Sequence, residues 1–481
     1  MSKYDVVIGL EVHVKVKTNS KMFCSCANKY GEEPNTLVCP VCMGYPGVLP
    51  VPNKEAIEKT VLAGLMTDCE ISKFSKFDRK SYFYPDMPKN YQISQYDLPF
   101  CLAGGVNISG KGFSGEPLDD KRIGITRIHL EEDVAKSTHF PGVSGIDFNR
   151  AGGPLMEIVS EPDMQSADEA YAYLTELKKI MQYAEISKCD MEKGELRCDV
   201  NISLKPTGQK EFGTKIEIKN LNSFRAIHRS IEHEIIRQAD ELDDGVQLRQ
   251  ETRGWNDDKG VTYIMRVKES ESDYRYFPEP DLMPVTFTDQ QIDDIRKTMP
   301  ETPEKRYNRF IEKYSLPEYD AHVLTQEKEL AYYFDAAVEK SANSAKLIAN
   351  WIISELLREL SDAGISISET KITPENLTQM IELINKGTIS GKIAKTVFAE
   401  MFKSGKKPDL IVEEKGLVQV SDSSAIEEFV NKAIDENQTQ VQQYRDGNPK
   451  VLQYFVGQVM KLSRGKANPQ MVVKLLKEKL G

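Results

Sequence analysis

The sequence predicts an α+β protein. A strand-rich N-terminal cradle domain with an antiparallel sheet precedes a helical domain and a small helical C-terminal tail domain. Before about residue 290, runs of strand length alternate apolar and polar residues between turn signals. Prolines between Pro278 and Pro303 mark a connector, after which apolar residues recur at helical spacing. A second break, KSGKKP at 403–408, precedes the tail. We therefore expect domains at 1–293, 294–405 and 406–481.

The first strand, residues 5–16 (DVVIGLEVHVKV), sets the pattern for the N-terminal domain. Its even positions are apolar, whereas Glu11 and His13 lie on the other face. This alternation predicts a strand with one buried face, because successive side chains point to opposite sides. A carboxylate and an imidazole two residues apart on a rigid element are a starting point for a metal site. The alternative is a solvated strand face that carries an ion pair.

Helices are predicted at few places before residue 290. Two interrupt the strands, at 166–183, where Ser166 and Glu169 form a capping box, and at 223–241. The glycine pattern at 110–115 (GKGFSG) leads into a strand, so it predicts hairpin turns and no dinucleotide site. After the connector, helical patterns cover residues 329–342, 345–360, 424–436, 438–445, 449–462 and 469–479.

Composition and charge limit the cellular setting and the partners. No apolar run approaches the ~18 residues that cross a bilayer, and the N-terminus lacks the features of a secretory signal. We therefore expect a cytoplasmic protein without a membrane partner, whose cysteines stay reduced. The net charge of −11 argues against general adhesion to nucleic acid. The segment from Pro449 onward is nevertheless basic and suits a polyanion.

Four of the eight cysteines are clustered in two short pairs. Cys24 and Cys26 form a C-x-C pair, and Cys39 and Cys42 form a C-x-x-C pair after a loop of twelve residues. Two close thiol pairs separated by such a loop match a structural Cys₄ zinc site, whose closed shell leaves no position for substrate. The alternative is four reduced cysteines in a core.

Acidic side chains recur on predicted strand faces. Residues 127–133, 195–204 and 214–221 each combine apolar and polar positions, and residues 155–159 embed a carboxylate in an apolar run. An antiparallel sheet with one wet side would explain this pattern. The sharper hypothesis is a cradle whose polar face gathers acids and one imidazole around Mg²⁺: Glu11, His13, Glu132, Glu157, Asp199 and Glu217. Strand parity alone does not choose between Glu131 and Glu132.

Basic side chains accompany these acids. The candidates for contact with phosphate are Lys80, Arg127, Arg150, Arg197 and Lys215. A metal site surrounded by Lys and Arg provides charge neutralisation and positioning, which are what phosphoryl transfer requires. We therefore regard phosphoryl transfer as the chemistry that the N-terminal domain predicts.

Several long stretches make the chain similar to one family. It resembles the B subunit of the tRNA-dependent aspartyl/glutamyl-tRNA amidotransferases (GatB), essentially from end to end. The matching stretches are IGLEVHVKV at 8–16, YPGVLPVPN at 45–53, KFDRKSYFYPDMPKNYQISQYD at 76–97, RIHLEEDVAKSTH at 127–139, LMEIVSEPD at 155–163, GELRCDVNIS at 194–203, FGTKIEIKNLNSF at 212–224 and RVKESESDYRYFPEPDL at 266–282.

The resemblance implies a ligase with kinase and amidotransferase steps. In that family ATP phosphorylates the side-chain carboxylate of misacylated Glu-tRNA(Gln) or Asp-tRNA(Asn). Ammonia from a partner amidase (glutaminase), the A subunit, then displaces phosphate, after passage through an internal channel. The resemblance therefore implies a heterotrimer with this amidase and a small third protein, the C subunit. It also implies ATP, Mg²⁺ and structural Zn²⁺ as the small-molecule and metal requirements.

The resemblance also implies roles for individual residues. The Mg²⁺ ligands fall on His13, Glu132 and Asp199, which favours Glu132 over Glu131. Glu11 is a further ligand, either directly or through a water molecule. Glu157, Glu217 and Lys80 fall in the same pocket and complete the implied catalytic set. The zinc ligands are the four clustered thiols. The tail domain is implied to bind tRNA through basic residues, namely Lys450, Lys461, Arg464, Lys466 and Lys474.

Two other functions compete with this assignment. The first is a zinc-stabilised, non-catalytic tRNA-binding scaffold whose acids only solvate a sheet. The second, ranked lower, is a metal-dependent hydrolase. For the amidotransferase, the resemblance implies Gln-tRNA, Asn-tRNA or both as products.

Overall fold

A computed structural model describes residues 3–267, 274–418, 423–463 and 466–481. The chain divides into two compact units, Met1–Pro303 and Glu304–Gly481. The first is built around a sheet and the second is helical, so the predicted α+β class is confirmed. The limits of the three predicted domains remain predictions.

Within the described part of the first unit, the strands form one large sheet and three small ones. Their bounds are β1 (Tyr4–Lys15), β2 (Glu70–Ile71), β3 (Phe74–Ser75), β4 (Asp78–Ser81), β5 (Tyr91–Ser94), β6 (Cys101–Lys111), β7 (Pro117–Glu132), β8 (Lys136–Phe140), β9 (Val143–Asp147), β10 (Pro154–Ser160), β11 (Leu196–Pro206), β12 (Ile216–Lys219), β13 (Glu251–Asn256), β14 (Val261–Val267), β15 (Phe277–Pro278) and β16 (Val285–Thr286). The large sheet has the order β14-β13-β12-β11-β1-β10-β7-β6-β2, which places β1 at its centre.

Almost all pairs in this sheet are antiparallel, as predicted, but β12 and β13 are parallel. A parallel pair needs a crossover connection, and the helix at Phe224–Asp243 supplies it. The hairpin predicted at 110–115 is also confirmed, because β6 and β7 pair on either side of it.

Among the described residues of the first unit there are four helices: α1 (Lys54–Met66), α2 (Ala167–Tyr183), α3 (Phe224–Asp243) and α4 (Asp289–Lys297). The sequence analysis predicted α2 and α3 but missed α1, and it also missed α4, which lies in the segment predicted to be a connector. Helix α1 begins after Asn53, whose side chain accepts a hydrogen bond from the Ala56 N–H. Most of its residues are buried, including Thr60 and Gly64, so it lacks the amphipathic pattern that identifies a surface helix. Helix α4 packs on α1 through Ile292.

The core of the first unit lies on the apolar face of the central strands. The even residues of β1 from Ile8 to Val14 are buried, as the alternation predicted. They belong to one hydrophobic cluster that includes Leu174 of α2 and Ile227 of α3. Because one face of the sheet is buried in this way, the odd residues of β1 are directed to the opposite, polar face.

The second unit is made of helices. Their bounds are α5 (Pro303–Tyr314), α6 (Glu318–Leu324), α7 (Lys328–Glu339), α8 (Ala345–Trp351), α9 (Leu357–Ala363), α10 (Pro374–Asn385), α11 (Gly391–Ser404), α12 (Pro408–Glu414), α13 (Ser423–Asp435), α14 (Gln438–Arg445), α15 (Val451–Leu462) and α16 (Pro469–Leu480), with 3-10 turns at Ala342–Ser344 and Ile367–Glu369 and a π-helical turn at Ile352–Leu356. Helices α13–α16 lie within two residues of the predicted bounds and share a separate hydrophobic cluster. Among the described residues, no helix is both long and apolar enough to span a bilayer.

Gly64 tests how tightly α1 packs on the sheet. A Cβ atom at this position would lie 2.5 Å from the Cys101 Sγ atom. Alanine favours a helix over glycine by ~1 kcal/mol, but overpacking costs ~1–3 kcal/mol, so we expect Gly64→Ala to lower the free energy of unfolding. Urea denaturation followed by Trp255 fluorescence, with Trp351 changed to phenylalanine, measures this unit. Gly391→Ala, which has open space around its Cβ, is the control. It lies in the second unit, so it is measured by Trp351 fluorescence in a chain that keeps Trp351 and carries Trp255→Phe, and it should not destabilise that unit. An unchanged midpoint for Gly64→Ala would contradict close packing.

Candidate active site

The register of the central strands gathers polar side chains from distant parts of the chain. In β1, His13 lies opposite Glu157 of β10 on one side and Arg197 of β11 on the other. Glu157 lies in turn opposite His129 of β7. Opposite residues in an antiparallel pair share a face, so these four side chains form one row across the polar face.

Two histidines and two carboxylates form the first cluster. The His13 Nε2 atom lies 3.3 Å from Glu157 Oε2 and 3.9 Å from Glu131 Oε1. The His129 Nε2 atom lies 3.4 Å from Glu157 Oε2 and 3.7 Å from Glu131 Oε2. Burial opposes a charged imidazole, but the hydrogen bond with Glu157 and the carboxylate charges raise the pKa of His13 above its ordinary value. Burial also opposes a charged imidazole at His129. The charge of Glu157 and the hydrogen bonds to both carboxylates outweigh burial and raise the pKa of His129 to about 9.

The carboxylate beside His13 belongs to Glu131, whereas Glu132 lies elsewhere. Glu131 alternates with His129 along β7, so both point to the polar face, while Glu132 points to the other side. The Glu132 carboxylate pairs with Lys89 Nζ at 2.6 Å and accepts the Ile93 N–H at 2.9 Å. The expectation that Glu132 joins His13 therefore requires correction: the structure brings Glu131 to that position.

A second cluster contains only carboxylates. Glu11, Asp199 and Glu217 each offer an oxygen, and these atoms lie within 4.8 Å of one another. Lys219 binds this cluster, with Nζ 2.6 Å from Asp199 Oδ2 and 3.1 Å from Glu217 Oε1. Burial would lower the pKa of Lys219, but the charges of Asp199 and Glu217 raise it. The predicted set of Glu11, His13, Asp199, Glu157 and Glu217 is therefore brought to one face, but as two adjacent groups.

A cleft of about 370 Å³ opens beside these clusters and carries cationic side chains. Lys80, Arg197 and Lys219 line it together with His13 and Asp199. Burial would lower the pKa of Lys80, but the charges of Glu131 and Glu157 outweigh it and raise that pKa. Arg197 Nη2 donates to Asp133 Oδ1 at 2.7 Å. The cleft thus places ammonium and guanidinium groups next to carboxylates.

The other predicted phosphate contacts do not converge on the cleft. Arg150 donates to the carbonyl oxygens of Val134 and Ala135, so its guanidinium holds a loop in place. Arg127 shares the polar face, opposite Val159, but is not among the residues that line the cleft. Lys215 is exposed and precedes β12. Of the five predicted phosphate contacts, Lys80 and Arg197 line the cleft.

The four clustered thiols also meet in space. The Sγ atoms of Cys24, Cys26, Cys39 and Cys42 lie within 4.8 Å of one another. The Cys39 N–H donates to Cys42 Sγ at 3.2 Å, and a hydrogen bond from Cys24 lowers the pKa of Cys42 to about 4. A four-thiol donor set with one stabilised thiolate is the chemistry that a structural zinc ion requires, so these residues fit that metal.

The basic residues predicted in the tail lie on its helices or beside them. Lys450, Lys461 and Lys474 are exposed, and Lys466 is half-buried. Arg464 falls outside the described residues. The predicted contact with RNA therefore has three exposed ammonium groups and a fourth partly covered one.

The predicted site left out three residues that the geometry brings into it. Lys219 lies on the same strand face as Glu217, at a spacing of two, and Glu131 was the alternative that strand parity left open beside Glu132. Glu131 and His129 share the same parity on β7. The signal was therefore alternation, but only the register with β10 shows that these residues meet His13 and Glu157.

Comparisons with known proteins agree with this architecture. A family model of the GatB/GatE catalytic domain matches residues 6–293, and a model of the GatB domain matches residues 332–480. The B subunit of the aspartyl/glutamyl-tRNA(Asn/Gln) amidotransferase of Carboxydothermus hydrogenoformans is 53% identical, over 100% of this chain and 99% of the relative. Proteins with the same description from Caldanaerobacter subterraneus and Persephonella marina are each 52% identical, over 99% of this chain and 99% and 100% of their own lengths.

The raised pKa of His129 predicts a pH dependence of stability. A group whose pKa rises from 6.5 to about 9 on folding contributes stability that is complete below pH ~6.5 and lost as the pH rises through ~9. Without added divalent ions, the urea midpoint should therefore fall between pH ~7 and ~9. His129→Asn should flatten this decline, whereas His139→Asn, at an exposed position, should not. An equal decline in His129→Asn and the unmodified chain would contradict the assignment.

Proposed function

The chain belongs to the GatB family, the B subunits of aspartyl/glutamyl-tRNA(Asn/Gln) amidotransferases, and on that premise we propose that it carries out the ATP-dependent transamidation of misacylated tRNA. The substrates are Glu-tRNA(Gln), Asp-tRNA(Asn) or both, and the products are Gln-tRNA(Gln) and Asn-tRNA(Asn). The enzyme is a carbon–nitrogen ligase of the cytoplasm with glutamine as amido donor.

The observation that carries this proposal is the pairing of carboxylates with cations on one sheet face. The cluster of Glu11, Asp199 and Glu217 adjoins a cleft lined by Lys80, Arg197 and Lys219. Acids alone would repel a nucleotide, and cations alone would bind any anion. The combination suits a divalent ion with a polyphosphate, which needs oxygen ligands and neutralisation of charge.

The two clusters suggest which residues hold Mg²⁺. Glu11, Asp199 and Glu217 form an all-oxygen set, which matches the preference of this ion, and His13 with Glu131 and Glu157 forms an adjacent set. When bound, Mg²⁺ would spread the charge of the phosphoryl group being transferred. Lys219 bridges Asp199 and Glu217 in the described structure, so its ammonium would move towards phosphate when a cation takes those oxygens.

The first chemical step is phosphorylation of the aminoacyl side chain. A carboxylate oxygen of the glutamyl or aspartyl group attacks the γ-phosphorus of ATP, the bond to the β,γ-bridging oxygen breaks, and ADP leaves. Lys80 and Arg197, which line the cleft, would orient the phosphoryl oxygens. The resulting acyl phosphate has a leaving group that the carboxylate itself lacked.

The second step replaces phosphate by nitrogen. Ammonia attacks the acyl carbon, phosphate departs, and one proton is lost to give the amide. Water competes for the same acyl phosphate, so a nitrogen source that arrives through a closed path favours amide formation. We propose that a partner amidase, the A subunit, supplies this ammonia through a channel and that the small C subunit completes a heterotrimer.

The remaining predicted features support this role indirectly. Cys24, Cys26, Cys39 and Cys42 would hold a structural zinc ion that stabilises the loop after β1. The tail domain, which we place at residues 406–481, would bind tRNA phosphates through its exposed lysines. Such contacts position the RNA but do not read its sequence.

Asp199 tests the catalytic assignment. Asp199→Asn keeps the size of the side chain but removes a charge from the carboxylate cluster. In the assembled complex we expect amide formation from ATP, Glu-tRNA(Gln) and ammonium to fall on the order of 10²-fold or more, with tRNA affinity largely unchanged. Glu192→Gln, at an exposed position in the loop before β11, is the matched control and should retain activity. Full activity of Asp199→Asn would favour the non-catalytic scaffold.

The tail is tested through the salt dependence of tRNA binding. Replacing Lys450, Lys461, Lys466 and Lys474 together by glutamine should weaken binding. Each lost phosphate contact should also reduce the slope of log K against log salt by ~0.7–0.9. Fluorescence anisotropy of labelled tRNA between ~50 and ~200 mM salt provides the measurement. Affinity and slope equal to those of the unmodified chain would remove the tail from the RNA interface.

A further inference from the structure

Lys21 is a buried lysine between the central strand and the cysteine cluster. Its residue surface is 1% exposed. Its Nζ atom lies 3.6 Å from Cys42 Sγ and 3.3 Å from the Phe148 carbonyl oxygen. Its own backbone N–H donates to the Cys26 carbonyl oxygen at 2.9 Å. Lys21 therefore contacts both thiol pairs, one through its side chain and the other through its backbone.

The surroundings of Lys21 provide no carboxylate partner. In the part of the chain that the structure describes, the salt bridges do not include Lys21, and its ammonium donates only to the Cys42 sulfur and the Phe148 oxygen. The nearby Glu132 is paired with Lys89 instead. A buried ammonium without a countercharge is strongly unfavourable, so the sulfur cluster is the available source of negative charge.

Four thiolates around a divalent ion provide that charge. Such a centre carries two negative charges in excess, and a hydrogen-bonded cation beside one sulfur reduces the repulsion among them. The Lys21 ammonium beside the Cys42 sulfur agrees with a sulfur cluster that carries negative charge, which four thiolates around a divalent ion would provide.

We propose that Lys21 is a positioning residue that retains the metal in the Cys₄ site by balancing the charge of its thiolates. This inference rests on the proposed zinc site and goes beyond it, because it assigns metal retention to a residue that is not itself a ligand. The same ammonium joins the zinc loop to the segment around Phe148, which leads into β10.

Glycine at position 152 fits this junction. Gly152 has a φ of +80°, and a Cβ atom there would lie 3.3 Å from the Cys42 Cβ and 3.6 Å from the Lys21 Cδ. The Met22 N–H donates to the Gly152 carbonyl oxygen at 2.7 Å, so backbone and side-chain bonds cross the junction together. Metal retention by Lys21 would therefore also hold the segment that precedes Glu157 of β10.

The test compares Lys21→Met with Lys17→Met in the full-length chain. Methionine keeps most of the length of the unbranched side chain and removes its charge. Lys17 is an exposed lysine four residues earlier. Zinc content is measured by elemental analysis, and zinc release to a chromogenic chelator gives the rate. We expect Lys21→Met to release zinc about 10–100-fold faster, which is the usual effect of losing an outer partner of a metal ligand. Lys17→Met should match the unmodified chain.

The outcomes separate this proposal from the zinc site itself. If the unmodified chain contains no zinc and binds none, the zinc site fails, and the role of Lys21 fails with it. If the unmodified chain holds zinc and Lys21→Met releases it at the same rate, only the role of Lys21 is overturned. If Lys21→Met does not fold, the rate of zinc release from Lys21→Arg, which keeps the positive charge, provides the test. Release close to that of the unmodified chain supports the charge requirement, and a release about 10–100-fold faster overturns it.

Discussion

The antiparallel register of β1 against β10 and β11 is the constraint on which the candidate site depends. It places His13 opposite Glu157 and Glu11 opposite Asp199, although these partners come from separate parts of the chain. A shift of one residue would move the polar side chains of β1 into the core and its apolar ones to the surface. The buried row from Ile8 to Val14 prevents that shift, so packing on one face secures the chemistry on the other.

Charge balance is the second requirement of this face. Glu131 and Glu157 are buried acids, and they share histidines and the ammonium of Lys80. Asp199 and Glu217 share Lys219 in the same way. These cations are not permanent partners in the proposed reaction, because a metal ion and a polyphosphate would compete for both sides of each pair. In the described arrangement, lysines occupy the carboxylates that would bind a metal ion, and carboxylates occupy the lysines that would bind a polyphosphate.

Much of this architecture was predictable from local patterns. Alternation identified the strands and their buried faces, and helical spacing located α13–α16 within two residues. Helix α1 was missed because it is buried on most sides and shows no polar stripe. The prediction that Glu132, and not Glu131, lies beside His13 was wrong. The Glu132 carboxylate instead pairs with the Lys89 ammonium and accepts a hydrogen bond from the Ile93 N–H. Partners that are distant in the chain leave no pattern in the local sequence. The same holds for the carbonyl oxygens that accept hydrogen bonds from Arg150.

The central position of β1 also has a consequence for the biogenesis of the protein. Asn201, which hydrogen-bonds Glu11, is 190 residues away in the chain. Strand β1 therefore cannot complete its pairing until a further 190 residues have been synthesised. Contacts of such long range slow folding, and an unpaired apolar strand is prone to aggregation while it waits. The sheet order that places the candidate site on central strands thus makes the nascent chain dependent on protection during translation.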